Sequence, residues 1–172
     1  PALATFAMLR DLHARLARTV FAHAGTLDKF LGDGIMATFG TPLTGKADAA
    51  NTVACARAIA AEIAEANAER ARQGAPAVNV RISAHWGEAL MGTIGDAKRL
   101  EFAVIGDTVN VASRLQQVAR DLDIGLVVSG ALCKAARAQG AVLDDLVSHG
   151  RHALRSYPGK VPVWTLKRRP NQ

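Results

Sequence analysis

The stretch TLDKFLGDGIMATFGTP, residues 26–42, places two short β-prone runs on either side of Gly32-Asp33-Gly34. A glycine-rich turn between two apolar runs predicts a β-hairpin with Asp33 at its tip. Taken alone, the stretch indicates only a tight turn, in which the aspartate oxygen bonds nearby backbone. A metal-binding role needs partners elsewhere in the chain, because one carboxylate cannot hold a catalytic Mg²⁺ ion.

The rest of the chain alternates between helical and strand patterns. Apolar periodicity predicts helices over residues 2–24, 47–73, 107–120 and 131–139, and strands over 78–84, 89–94, 101–105 and 126–129. A turn is predicted at 95–99, and residues 141–166 indicate a last hairpin that turns at 157–159. This order predicts an α+β or α/β fold, with a mostly antiparallel sheet and helices on one face.

The composition describes a globular domain without a disulfide framework. The chain has 172 residues, of which 49% are hydrophobic and 21% charged, so we treat residues 1–172 as a single domain. No apolar run approaches the ~20 residues that span a bilayer. Cys55 and Cys133 are too few and too far apart for a disulfide scaffold, so they are predicted to be core residues in a reducing compartment.

The net charge of +6 is not distributed as a nucleic-acid-binding surface would require. Lys167, Arg168 and Arg169 supply half of the charge, and the remainder is spread without a basic stripe. We therefore predict no nucleic-acid partner. A small polyanionic substrate would suit the positive surplus equally well.

Residues 40–47, GTPLTGKA, imitate a phosphate-binding P-loop. They fit the spacing Gly-x-x-x-x-Gly-Lys between a strand and a helix, but Ala47 stands where the motif needs Ser or Thr to ligate magnesium. Pro42 also stiffens a loop whose backbone N–H groups should wrap phosphates. The segment is predicted to be only a connection.

A second informative stretch is LEFAVIGDTVNVASRL, residues 100–115, in which a strand runs directly into a helix. Asp107 or Thr108 would serve as the helix N-cap. Asn110 and Arg114 are four residues apart and share one helical face. Their amide and guanidinium could donate to ribose and phosphate oxygens, and a solvated polar face explains the pattern equally well.

Three blocks together resemble a known family. DKFLGDGIMATFGTP (28–42) and EFAVIGDTVNVASRL (101–115) are similar to the two signature blocks of the class III nucleotidyl cyclases, the adenylyl and guanylyl cyclase catalytic domains. ISAHWGEALMGTIG (82–95) resembles the strand-glycine-strand block between them. The resemblance runs from Ala2 to Leu166 in order and spacing. It implies a ferredoxin-like α+β fold and a head-to-tail homodimer with composite sites at the interface.

The resemblance also implies roles for individual residues. Asp33 matches one of two aspartates that hold two Mg²⁺ or Mn²⁺ ions, and Lys29 matches the lysine that reads adenine. Asn110 and Arg114 match the pair that orients the ribose and stabilises the transition state. Arg155 falls where the family usually has a lysine for the terminal phosphates.

Two positions depart from the family pattern. The second base-reading residue, usually Asp or Thr in adenylyl cyclases, falls at Ala103, which has no side-chain acceptor. The other metal aspartate is expected on a strand before the first helix, ahead of Pro1. We therefore expect residues 1–172 alone to cyclise ATP poorly.

The implied activity is adenylate cyclase, which converts ATP to 3′,5′-cyclic AMP and pyrophosphate. The alternative is a catalytically degenerate cyclase-like domain that acts as a dimerising or nucleotide-sensing module. A diguanylate cyclase would show Gly-Gly-Asp/Glu-Glu-Phe at the turn, and Gly32-Asp33-Gly34-Ile35 is different. We expect an upstream regulatory domain and a cytoplasmic location, either free or as part of a membrane-anchored protein.

Overall fold

The computed structural model of the chain describes residues 2–96 and 99–167. The helices are α1 (Ala2–Ala22), α2 (Asp48–Arg72), α3 (Asp107–Asp121) and α4 (Gly130–Ala138). The strands are β1 (Thr26–Leu31), β2 (Gly34–Thr38), β3 (Ile82–Ala84), β4 (Leu90–Asp96), β5 (Arg99–Ile105), β6 (Leu126–Ser129), β7 (Leu146–Ala153) and β8 (Lys160–Leu166). None of these helices is long and apolar enough to cross a membrane. The predicted α+β class is confirmed.

The strands form one central sheet and two separate hairpins. The central sheet has the order β3-β6-β8-β7, in which β3 runs parallel to β6 and the other two pairings are antiparallel. β1 pairs with β2, and β4 pairs with β5, both antiparallel. The pairing is therefore mostly antiparallel, as predicted. The turn predicted at 95–99 includes Ala97 and Lys98, which lie outside the described residues.

Strand β6 determines where the helices pack. All four of its residues are buried, and successive side chains of a strand point to opposite faces. Leu126 and Val128 pack against α2 and α4, whereas Val127 packs against α3. Helices thus cover both faces of the central sheet, and the expectation of helices on one face is wrong. A strand buried on both sides has a continuous apolar run rather than an alternating pattern, and Leu126–Val128 is such a run.

The strand predicted over 78–84 is shorter than expected and consists only of Ile82–Ala84. The side chain of Asn67, on α2, forms hydrogen bonds with the backbone of the segment just before this strand. Its Nδ2 donates to the Val78 carbonyl at 3.0 Å, and its Oδ1 accepts from the Val78 N–H at 2.8 Å. Because an amide side chain satisfies both backbone groups of Val78, that residue needs no strand partner.

Both cysteines are buried and unpaired, as predicted. Burial, with a smaller contribution from the Glu62 carboxylate, raises the pKa of the Cys55 thiol to about 11. Burial likewise raises the pKa of Cys133. Thiols that stay protonated at neutral pH are poor nucleophiles, so these residues act as small core side chains.

Candidate functional site

The β1–β2 hairpin places Asp33 at an exposed tip. Leu31 pairs with Gly34, which leaves Gly32 and Asp33 as a two-residue loop. Gly32 has a φ of +63°, as the first central residue of a type II′ turn requires. Asp33 makes no hydrogen bond or ion pair with any residue in the described part of the chain, so its carboxylate does not brace the turn. The side chain can therefore accept an external ligand.

Helix α3 presents Asn110 and Arg114 from the junction that follows β5. Asn110 is exposed and Arg114 is partly exposed on the same side of the helix. The N-cap is Gly106, and no side chain caps the helix, so the expectation that Asp107 or Thr108 would do so is wrong. Thr108 instead donates from its hydroxyl to the Glu88 carbonyl at 2.5 Å. This bond ties the start of α3 to the connection between β3 and β4.

Arg114 and Arg155 line one pocket. It has a volume of about 260 Å³ and lies between α3 and the end of β7, and we call it the α3–β7 pocket. The Arg114 guanidinium donates from Nη1 to the Ser156 carbonyl at 3.2 Å, which connects the helix to the segment that carries Arg155. Arg120 and the carboxylate of Asp121 line the pocket as well. Three guanidinium groups against one carboxylate suit an oligophosphate, because each guanidinium can bind phosphate oxygens through two parallel N–H donors.

Lys29 contacts the edge of a different pocket. Ile94, Gly95, Glu101 and Ala103 line this second pocket, of about 320 Å³, which we call the β4–β5 pocket. The Lys29 ammonium lies 3.5 Å from Glu101 Oε1 and 3.6 Å from Asp28 Oδ2. The first of these contacts joins the β1–β2 hairpin to the β4–β5 hairpin. The Lys29 ammonium therefore lies beside this pocket. The side chain that position 103 contributes to the pocket wall is only the methyl group of alanine.

The predicted site residues therefore do not all lie in one pocket. Arg114 and Arg155 share one pocket, and Lys29 approaches the other pocket through its contact with Glu101. Asp33 and Asn110 line neither pocket. The sequence reading missed Glu101, although its position two residues before Ala103 on a strand predicts that both side chains share a face.

The donor set at Asp33 fits part of a metal site. A carboxylate oxygen is a ligand that Mg²⁺ and Mn²⁺ prefer, and Mg²⁺ is commonly held by one or two carboxylates together with substrate phosphates. Residues 2–96 and 99–167 contain no cluster of three or more His, Cys, Asp or Glu side chains able to bind a metal. Asp33 is therefore suited to be one ligand among several, with the others coming from substrate or from a second carboxylate.

The segment at 40–47 connects β2 to α2, as predicted, and a carboxylate lies inside its turn. The carboxylate of Asp48, a buried residue, accepts from the Gly45 backbone N–H at 2.5 Å. A Cβ atom added at Gly40 would meet this carboxylate at 2.6 Å, and one added at Gly45 would meet it at 2.9 Å. A negative charge thus fills the space that a P-loop keeps for phosphate.

Gly106→Ala is expected to destabilise the domain by about 1–3 kcal/mol and to displace α3. Gly106 has φ +151° and ψ 165°, a conformation essentially restricted to glycine, and an added Cβ would lie 3.2 Å from the Glu88 carbonyl oxygen. Thermal unfolding measures the change. Gly125→Ala is the control, because its Cβ would meet only an ordinary contact at 3.9 Å. Equal melting temperatures for the two variants would contradict the prediction.

Comparison with known proteins identifies the family. Residues 2–165 match the family described as "Adenylate and Guanylate cyclase catalytic domain". Adenylate cyclase 1 of Rhizobium meliloti is 33% identical over 126 residues, which cover 73% of this chain and 19% of that protein. The chain therefore spans about a fifth of the length of this curated relative.

Solved structures agree on the fold. The adenylyl cyclase CyaB from P. aeruginosa superposes with a TM-score of 0.86 at 23% identity, covering 99% of this chain and 86% of that one. The guanylyl cyclase Cya2 gives a TM-score of 0.81 at 25% identity, covering 96% and 81%. The expected nucleotide cyclase fold is confirmed, and this chain belongs to the class III adenylyl and guanylyl cyclase catalytic domains.

Proposed function

We propose that this domain is an adenylate cyclase that converts ATP to 3′,5′-cyclic AMP and pyrophosphate. The observation that carries the proposal is a pair of pockets on one chain, one with a lysine beside it and one lined by arginines. Lys29 stands beside the β4–β5 pocket, which suits a base, and three arginines, Arg114, Arg120 and Arg155, line the α3–β7 pocket, which suits phosphates. A lysine donor fits the ring nitrogen acceptor of adenine, whereas the guanine ring presents an N–H at the same place.

The reaction is an intramolecular displacement. The ribose 3′-oxygen attacks the α-phosphorus, the bond from that phosphorus to the bridging oxygen of pyrophosphate breaks, and the 3′-hydroxyl proton passes to solvent. Asn110 holds the ribose so that the 3′-oxygen faces phosphorus, which is catalysis by positioning. Arg114 donates to the α-phosphoryl oxygens, where negative charge grows in the transition state. Arg155 binds the terminal phosphates and so retains the leaving group in line.

Asp33 is proposed to hold catalytic Mg²⁺ or Mn²⁺, two ions per site. Such ions, when bound, make an attacking hydroxyl more acidic and neutralise phosphate charge. The exposed, unengaged carboxylate at the hairpin tip supports this role. Because Asp33 lines neither pocket, we further propose that it serves the site of a second copy of the chain, in a two-fold homodimer with two equivalent composite sites.

The second candidate function is a degenerate cyclase domain that dimerises or senses nucleotides without turnover. Ala103 favours it, because the base-reading position has no side-chain acceptor. The presence of Lys29, Asp33, Asn110 and Arg114 favours the enzyme. We propose a cytoplasmic location, where ATP is supplied and where free thiols such as Cys55 persist, and an additional regulatory domain in the longer protein.

In a longer chain that also supplies the second metal aspartate, we expect production of cyclic AMP and pyrophosphate from ATP in Mg²⁺ or Mn²⁺, and a preference for ATP over GTP in direct competition. Lys29 is the physical reason, because its N–H donors fit adenine. Measuring both cyclic nucleotides from an equimolar ATP and GTP mixture tests this. A larger yield of cyclic GMP would overturn the adenylate assignment. Nucleotide binding without either product would favour the degenerate module.

A further inference from the structure

We propose that Glu101 supplies the base-reading acceptor that Ala103 lacks, so that Lys29 and Glu101 together recognise the adenine edge. This inference rests on the proposed function and deepens it by naming a specificity-determining residue. It begins from one contact, the 3.5 Å separation between Lys29 Nζ and Glu101 Oε1.

Glu101 and Ala103 belong to the same wall. They are two residues apart on β5, so their side chains share one face of the strand. Both line the β4–β5 pocket together with Ile94, which is the cross-strand partner of Glu101 on β4, and Gly95. The small side chain at 103 leaves room beside the carboxylate at 101. An adenine ring can therefore approach Glu101 without displacing a larger neighbour.

The environment of Lys29 distinguishes Glu101 from the other nearby carboxylate. The side chain of Asp28 is only 5% exposed, and its Oδ2, 3.6 Å from the Lys29 ammonium, has no hydrogen-bond partner. The side chain of Glu101 is 60% exposed. Asp28 can thus keep the charge of Lys29 balanced from inside the protein, whereas Glu101 is accessible and can turn to a ligand.

The Lys29–Glu101 contact is also loose. A charge-assisted hydrogen bond between ammonium and carboxylate normally measures about 2.7–2.9 Å, and the observed separation is 3.5 Å. The ammonium carries three donors and the carboxylate has several acceptor sites, so both retain capacity for a ligand. A base that presents an acceptor and a donor side by side can bind to the pair.

Adenine presents that arrangement on its Watson–Crick edge. Its ring N1 accepts from Lys29, and its 6-amino group donates to Glu101. Guanine in the same pose brings its O6 acceptor to the carboxylate and its N1–H to the ammonium, so each contact becomes repulsive. A site built to bind an amino group discriminates against an analogue that lacks it, because the acceptor that the bound base covers is then left without a donor.

The experiment measures equilibrium binding of 3′-deoxy-ATP and 3′-deoxy-GTP by titration calorimetry, because neither analogue has the attacking hydroxyl. The full chain is compared with Glu101→Gln and with Glu65→Gln, an exposed carboxylate on α2 outside both pockets. In Glu101→Gln we expect the preference for adenine to fall roughly tenfold or more, since a charge-assisted hydrogen bond is lost. Binding of the guanine analogue should stay equal or improve, because the amide can also donate to O6.

A rescue variant makes the test specific. In Glu101→Gln/Ala103→Thr the threonine hydroxyl restores an acceptor on the same wall, so much of the adenine preference should return. Ala103→Thr or Ala103→Asp in the parent chain should sharpen that preference further. A melting curve confirms that these substitutions leave the domain folded.

The outcomes separate this inference from the proposed function. One outcome is that the parent chain prefers 3′-deoxy-ATP and that Glu101→Gln changes the ratio of the two affinities by less than about twofold. Glu101 then does not recognise adenine, and the adenylate cyclase assignment stands. Equal weakening of both analogues would reduce Glu101 to a support for Lys29 and overturn the inference. If the parent chain binds neither analogue, the proposed function and this inference both fall.

Discussion

In a longer chain that also supplies the second metal aspartate, Asp33→Asn is expected to abolish metal-dependent cyclisation of ATP while leaving the domain folded and able to bind nucleotide. The substitution keeps the size of the side chain but replaces a charged oxygen ligand with a neutral amide. Metal ions contribute several kcal/mol of charge stabilisation in such reactions, so turnover should fall about 10²-fold or more. The fold should not change, because Asp33 lies on an exposed two-residue loop and contacts no described residue through a hydrogen bond or ion pair.

The measurement is the rate of cyclic AMP formation as Mn²⁺ and Mg²⁺ are titrated, together with thermal unfolding and ATP binding in chelator. Asp144→Asn is the matched control, because it neutralises another exposed carboxylate outside both pockets. We expect excess Mn²⁺ to recover part of the lost rate, since a high concentration of the ion offsets the weaker affinity of the substituted site for it. Unchanged turnover in Asp33→Asn would show that this carboxylate only shapes the turn.

Much of the fold could be predicted because local signals agree with the final structure. Gly32-Asp33 between two apolar runs specifies the first hairpin, and the turn closes at the predicted residues. Leu16 and Val20 on α1, like Val53 and Ile59 on α2, are buried as their helical spacing indicated. These features depend on sequence neighbours, so a single sequence reports them.

The predictions that were wrong concern contacts between residues that are far apart in the sequence. The continuous apolar run of β6 could not show which helix covers which face, and the backbone of Val78 pairs with the side chain of Asn67 rather than with a strand. The helix cap was mispredicted because the Thr108 hydroxyl binds the distant Glu88 carbonyl. Glu101 was missed for the same reason, since its partner Lys29 is 72 positions away in sequence. The extent of the domain over residues 1–172 stays a prediction.

Arg114→Ala is expected to lower the turnover number by roughly 10²–10³, the usual cost of losing one donor to charge that develops in the transition state. Arg114→Lys should recover little, because a lysine keeps the charge but lacks the planar pair of donors. The control is Arg72→Ala, which removes an exposed guanidinium at the end of α2. A similar loss of turnover in Arg114→Ala and Arg72→Ala would indicate that removing any positive charge lowers the activity, and that the position of Arg114 is not important.

The pairing of Arg114→Ala with Asp33→Asn tests whether the two residues act in the same site from different chains. In the proposed homodimer, Asp33 comes from one copy while Lys29, Asn110 and Arg114 come from the other, so each variant alone damages both sites. A mixed dimer carries both lesions in one site and leaves the other site intact. Random exchange makes half of the dimers mixed, and since each has one intact site of two, about a quarter of the parent activity should return. Exchange can be verified with differently tagged copies. Verified exchange without recovered activity would rule out the shared site and would favour either an active site within one chain or a module without catalysis.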